Sequence, residues 1–192
     1  MNNTRIENID SNEYTRNRVK QTIVILSFAA LMIVAAHVRI PALPVPFTLQ
    51  TFVVILSAFV MRSRLASISQ VIYLTYGLGG AAIFANGGGL GYVLSPTFGY
   101  IIGFIVMAYM LGRSLEKVEK ENLTFKKFMS IGLLGVVVQL SLGTIYLYVL
   151  LNAITGTGIT VWAALMNGFL IFIPHEIVKV AVAGVIAKKA NV

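Results

Sequence analysis

Apolar residues in this chain gather into long unbroken blocks, separated by short connections that are charged or rich in glycine and proline. Continuous blocks of this kind predict membrane-spanning helices, because a half-buried strand or the wall of a β-barrel would alternate with period two. The blocks fall at Gln21–Val38, Thr48–Met61, Leu65–Gly80, Thr97–Leu115 and Phe128–Leu151, with a sixth, proline-interrupted stretch within Val161–Ala187. The predicted fold class is therefore all-α integral membrane, with about six transmembrane helices. The second and third blocks are short for a full crossing, which predicts tilting or partial immersion there. Residues 1–20 are polar and charged, and are expected to form a short, mobile cytoplasmic tail instead of a cleaved signal peptide. Residues 21–192 are then one six-helix transmembrane domain, with no soluble catalytic module attached.

Charge placement supports the same layout independently. Arg5, Arg16, Arg18 and Lys20 precede the first block, Arg62 and Arg64 follow the second, Arg113 to Lys127 fill the fourth connection, and Lys188 and Lys189 close the chain. With six spans these all lie on one side, and the other side carries Arg39 and little else. The positive-inside rule then places both termini in the cytoplasm. The net charge of +8 is topological, and its dispersal over several loops excludes a nucleic-acid groove. Apolar residues at 57% and charged ones at 11%, against roughly 25% charged in a soluble domain, confirm the lipid bilayer as solvent. Cysteine is absent, which removes disulfide and thiolate chemistry.

Candidate chemistry concentrates on the non-cytoplasmic side. The first outer connection, Arg39 to Gln50, carries Pro41, Pro44 and Pro46. Prolines fix φ and remove donors, so this stretch cannot continue a helix and reads either as a stiff lid or as an interfacial turn. The second outer connection contains Asn86-Gly87-Gly88-Gly89-Leu90-Gly91-Tyr92, then Ser95 to Tyr100. Glycines let the backbone approach a ligand closely, or form a hinge. No phosphate-cradling signature accompanies them, so any ATP hydrolysis belongs to another polypeptide. In the last block, Pro174 predicts a helix start, which puts Glu176 in the first turn and Lys179 three residues on, along the same face. Ionisable groups at membrane depth are costly and commonly face a cavity or each other. The pair is either a ligand site or an ion pair that pins the helix. His37 and His175 are too few for a metal site. Trp162, Tyr146 and Tyr148 read as interface anchors before substrate platforms.

Taken together, Pro41–Gln50 with its Pro-Val-Pro-Phe-Thr-Leu-Gln core, the glycine run leading into Leu94–Tyr100, and Phe172-Ile173-Pro174-His175-Glu176-Ile177-Val178-Lys179 resemble the BioY family, the biotin-specific substrate-binding components of energy-coupling-factor transporters. The resemblance runs from Thr22 to Lys189. It implies a substrate-binding domain that captures biotin at the outer face, catalyses no reaction and needs no cofactor, biotin being the transported ligand. It also implies a prokaryotic plasma-membrane location and, as partners, a transmembrane coupling protein and two ABC-type ATPase subunits. The implied binding residues are Phe47 and Gln50 on the proline loop, Asn86, Gly87 and Gly88 on the glycine run, Tyr92, Tyr100, Glu176 and Lys179. Where the family usually has Pro-Gly-Asp, this chain has Pro174-His175-Glu176, so the acid is one methylene longer. The Ala-x-x-x-Ala docking patch common on the family's first helix is missing, although Ser27, Ala29, Ala30, Ala35 and Ala36 permit close helix approach. Two other readings of Glu176 are an integral membrane enzyme acting on a lipid, with His175 as partner, and a proton or ion pathway.

Overall fold

The computed structural model describes residues 3–189. Its helices are α1 (Asn3–His37), α2 (Gln50–Leu78), α3 (Phe98–Glu116), α4 (Phe125–Val149), α5 (Val161–Gly168) and α6 (Ile173–Lys189), with a two-strand hairpin of β1 (Arg39–Ile40) and β2 (Phe47–Thr48) between the first two. Among the described residues, five segments are long and apolar enough to cross a membrane. One of them folds back on itself. Within α2, Arg62 takes φ 63° and ψ −169°, a region that costs a non-glycine residue about 1–3 kcal/mol. There the chain reverses, and Gln50 Nε2 donates to the Tyr73 hydroxyl at 3.0 Å from the opposite half of α2. The two blocks expected at Thr48–Met61 and Leu65–Gly80 are thus the two arms of a helical hairpin, and the order of segments is the one the hydropathy pattern predicts. At roughly 1.5 Å per residue, residues 50–61 extend about 18 Å, which leaves this arm short of the ~30 Å hydrocarbon core.

The hairpin turn is closed by α3. Arg62 Nη1 donates to the Leu115 carbonyl at 2.9 Å. The Ser63 amide and hydroxyl donate to Glu116 Oε1 at 3.0 and 2.6 Å, so a carboxylate from a different helix satisfies a donor that the start of the second arm leaves open. A Cβ on Gly112 would lie 2.2 Å from the Ser63 nitrogen, so glycine is what allows α3 to cross at backbone contact. The core between α1, α2, α3, α4 and α6 holds Met32, Val54, Ala58, Met107, Leu140 and Val180, all fully buried.

The expected tail behaves differently from its polar composition. The helix begins at Asn3 and continues through the first apolar block without a break, so residues 3–20 extend α1. At the other end of the chain α4 loosens into a π-helical turn (Leu150–Ile154), and Thr160 caps α5 by accepting from the Ala163 amide at 3.1 Å. The final helix starts at Ile173, one residue before the proline, as the preference of proline for the first helical turn predicts.

Candidate functional site

The end of the bundle opposite the Arg62 turn holds a small cavity of about 40 Å³ that opens toward solvent. Its roof is the β1–β2 hairpin, in which Arg39 pairs with Thr48 and Ile40 with Phe47. The prolines therefore sit on a closed strap, and Val45 and Pro46 turn inward as buried cavity wall. The Arg39 guanidinium donates to the Ala85 carbonyl and, at 2.5 Å, to Asn86 Oδ1, which ties the strap to the second outer loop. Phe47 anchors the strap from the other side. Its ring lies 4.8 Å from that of Phe172, just before α6, and 4.7 Å from the imidazole of His175 in the first turn of α6.

Glu176 stands at the cavity wall and is only 3% exposed. One carboxylate oxygen, Oε1, receives Lys179 Nζ at 2.6 Å and the Thr51 hydroxyl at 3.1 Å, with His175 Nε2 at 3.3 Å. The other, Oε2, is buried without a partner. Lys179 also donates to the Thr48 carbonyl at 2.7 Å, so the ammonium fastens the strap to α6. It lines an apolar groove outside the cavity, between Val38, Ile40, Leu49 and Val178, while Glu176 lines the cavity itself. The expected acid–base pair is present, with its two members facing opposite sides of one wall.

The structure brings Gln50, Tyr92, Tyr100 and Glu176 together around the cavity. Tyr100 is held in a slot where added Cβ atoms at Gly143 or Gly168 would come within 2.2 and 2.7 Å of its side chain, and its hydroxyl donates to the Gly168 carbonyl at 2.7 Å. Asn86, Gly87 and Gly88 are not cavity wall; their neighbour Ala85 lines it, as Tyr92 and Thr97 do further along the same connection. Gly87 adopts φ 122° and pairs its backbone with Phe84, while a Cβ on Gly88 would lie 1.9 Å from the Ala81 carbonyl oxygen. These glycines shape the loop, and the loop in turn seats Phe84, fully buried between the Tyr73 and Tyr92 rings at 5.3 and 4.5 Å.

Among the wall residues that sequence reasoning did not single out as contacts are Thr51, Phe172, His175 and Gln139. Thr51 is an ordinary helix residue by pattern and nothing marks it, while Phe172 opens the Phe172–Lys179 motif without any chemistry that points to the cavity. Gln139 did leave a signal, since it is the amide in the apolar run of α4, at a depth where polar side chains are expensive. Among the described residues no group of His, Cys, Asp and Glu could hold a metal ion.

The fold and this site define a multi-spanning helical membrane protein with a strapped, polar-walled cavity near one end. A model of the BioY family matches residues 6–192, and the chain belongs to that family. It is 41% identical over 130 residues to the probable biotin transporter BioY of Lysinibacillus sphaericus, covering 68% of this chain and 65% of that protein. It is 35% identical over 161 residues to the biotin transporter BioY of Thermotoga maritima, covering 83% and 89%. In fold it matches the crystal structure of the S-component for biotin from an ECF-type ABC transporter, with a TM-score of 0.79, 23% identity and coverage of 92% and 93%.

Proposed function

We propose that this chain is the biotin-capturing membrane subunit of an energy-coupling-factor importer. Membership of the BioY family and the biotin transporters among its relatives support the reading. The observation that carries it is the Glu176 carboxylate, buried at the wall of a strapped cavity with Oε2 unpartnered. A buried acceptor left open is costly, and a ligand with N–H donors, such as the cyclic urea of biotin, relieves that cost on binding. The basic residues Arg62, Arg64, Arg113, Lys126, Lys127, Lys188 and Lys189 lie toward the end away from the cavity, and by the positive-inside rule that end is cytoplasmic. The cavity accordingly opens to the outside of the plasma membrane. The chain catalyses no reaction. Coupling to ATP falls to a transmembrane coupling protein and two ABC-type ATPases, since the sequence has no nucleotide-binding signature of its own.

Equilibrium binding of labelled biotin to the purified chain tests the reading directly. Saturable binding without ATP or other subunits is expected, and its absence overturns the proposal. Reconstituted vesicles extend the test to the partners: ATP-driven uptake should need the coupling complex, and uptake by the chain alone would contradict the division of labour.

A further inference from the structure

Nearly every polar group around the cavity already has a partner within the protein. The Tyr92 hydroxyl pairs with Thr97 Oγ1 at 2.7 Å, Tyr100 donates to Gly168, Gln50 donates to Tyr73, and Thr51 donates to Glu176 Oε1. Three buried groups on wall residues make no hydrogen bond within the described residues: His175 Nε2, which only approaches Glu176 Oε1, and two oxygens, Glu176 Oε2 and Gln139 Oε1, the latter on a residue only 2% exposed. The two oxygens come from different helices, α6 and α4. Gln139 is held there by close packing. A Cβ on Gly103 of α3 would lie 3.1 Å from Gln139 Cγ and 3.0 Å from its carbonyl oxygen, so the stem is clamped at the α3–α4 crossing.

Two open oxygen acceptors on one cavity wall ask for two N–H donors on one ligand, because a buried acceptor without a donor forfeits the hydrogen bond it would have made in water. We propose that Gln139 is a specificity-determining ligand contact, whose side-chain oxygen accepts one N–H of the bound cyclic urea while Glu176 Oε2 accepts the other. The assignment rests on the biotin reading above and adds a consequence to it. The urea enters first and lies between α4 and α6, and the carboxylate tail of the ligand is left toward the strap. Discrimination follows from the same geometry, since a ligand of similar shape lacking either N–H leaves one oxygen buried and unpaired.

The test uses the purified full chain, biotin and the two analogues methylated singly on either urea nitrogen. For the parent protein, each methylation should weaken binding about tenfold, one through Gln139 and the other through Glu176. In Gln139→Met, which keeps the volume and removes the amide, biotin should bind about tenfold more weakly, and one of the two methylated analogues should lose almost nothing further. Gln139→Glu keeps an acceptor and should fall less than Gln139→Met. Equal affinity of Gln139→Met and the parent for biotin overturns the assignment, as does the same loss for all three ligands, which marks a packing role. Should neither variant fold, the parent alone decides: loss on both methylations supports two acceptors, and loss on only one or on neither rejects them. Failure of the parent to bind biotin at all points elsewhere, to the proposed function itself.

Discussion

Two glutamates close the two ends of this bundle, and they are used in opposite ways. Glu116, beside the Arg62 turn, has both oxygens occupied: Oε1 accepts from the Ser63 amide and hydroxyl, and Oε2 from Arg113 at 3.0 Å. Glu176, at the cavity, gathers Lys179 and Thr51 on Oε1 and leaves Oε2 buried and open. The first arrangement is complete in the folded protein. The second leaves one buried acceptor without a donor. Residue type alone does not separate the two; burial and the occupancy of each oxygen do, since Glu116 is exposed with both oxygens met and Glu176 is 3% exposed with one left open.

The sharpest way to break the comparison is to remove each carboxylate. Glu176→Ala deletes a charge-assisted acceptor worth about 1.5–3 kcal/mol and orphans the Lys179 ammonium, which is 9% exposed. Removing one partner of a buried pair costs about 3–5 kcal/mol. Biotin affinity should fall about a hundredfold or more, measured by equilibrium binding, and thermal stability should fall with it. The double variant Glu176→Met, Lys179→Met separates the two effects. Stability should return while biotin binding stays lost. Return of wild-type affinity in that variant would mean that the pair only pins α6 and the strap.

The glycine run bears on the cavity through its loop. With Gly88 against the Ala81 carbonyl, Gly88→Val cannot be accommodated unless the loop moves, and the same loop carries Ala85 at the cavity wall and Phe84 in the core. Binding should weaken at least tenfold, and the melting temperature should drop in parallel. Lost binding at an unchanged melting temperature would instead place Gly88 in direct contact with the ligand.

Much of this was legible before any coordinate, for reasons specific to each region. The helix blocks were readable because a bilayer demands long continuous apolar runs, and the break between Met61 and Leu65 marked the hairpin turn even though the helix is otherwise continuous through it. Pro174 and the spacing of Glu176 to Lys179 gave the start of α6 and the shared face. Spacing could not reveal that the two side chains serve different sides of a wall, because that depends on where Thr48 and Thr51 arrive from α2 and the strap. The glycine run was visible as a loop that needs glycine. Whether the need came from a ligand or from the chain's own backbone depended on Ala81, several residues earlier. The helical start of the chain was hidden for a related reason, since polar composition reports solvent contact and says little about backbone conformation once a helix is already nucleated downstream.

At the other end of the bundle a smaller effect is expected. Glu116→Ala removes a cap on the second arm of α2, a change typically worth about 1 kcal/mol, which for a chain of this size lowers the melting temperature by about 2–4 °C. Biotin affinity of the folded protein should be unchanged. A loss of affinity comparable to that of Glu176→Ala would show that the two carboxylates are coupled through the bundle, and the contrast between them would fail.

The smallest expected effect lies on the strap. Pro41 is exposed on the β1–β2 hairpin and makes no part of the cavity wall, so Pro41→Gly leaves the ligand contacts intact and acts on freedom alone. The strap must be ordered over the cavity for binding, and replacing proline by glycine adds conformations that ordering then has to remove, at about 0.4–1 kcal/mol. Binding should therefore weaken about two- to fivefold. If the strap closes after the ligand enters, the cost should appear as faster release, since a looser strap reopens more readily. A proline analogue at the same position, or Pro41→Ala, should fall between glycine and the parent because alanine restores part of the restriction. Identical release rates across the three proteins would show that the strap's order does not limit escape, and would leave Glu176 and the cavity wall as the only source of retention.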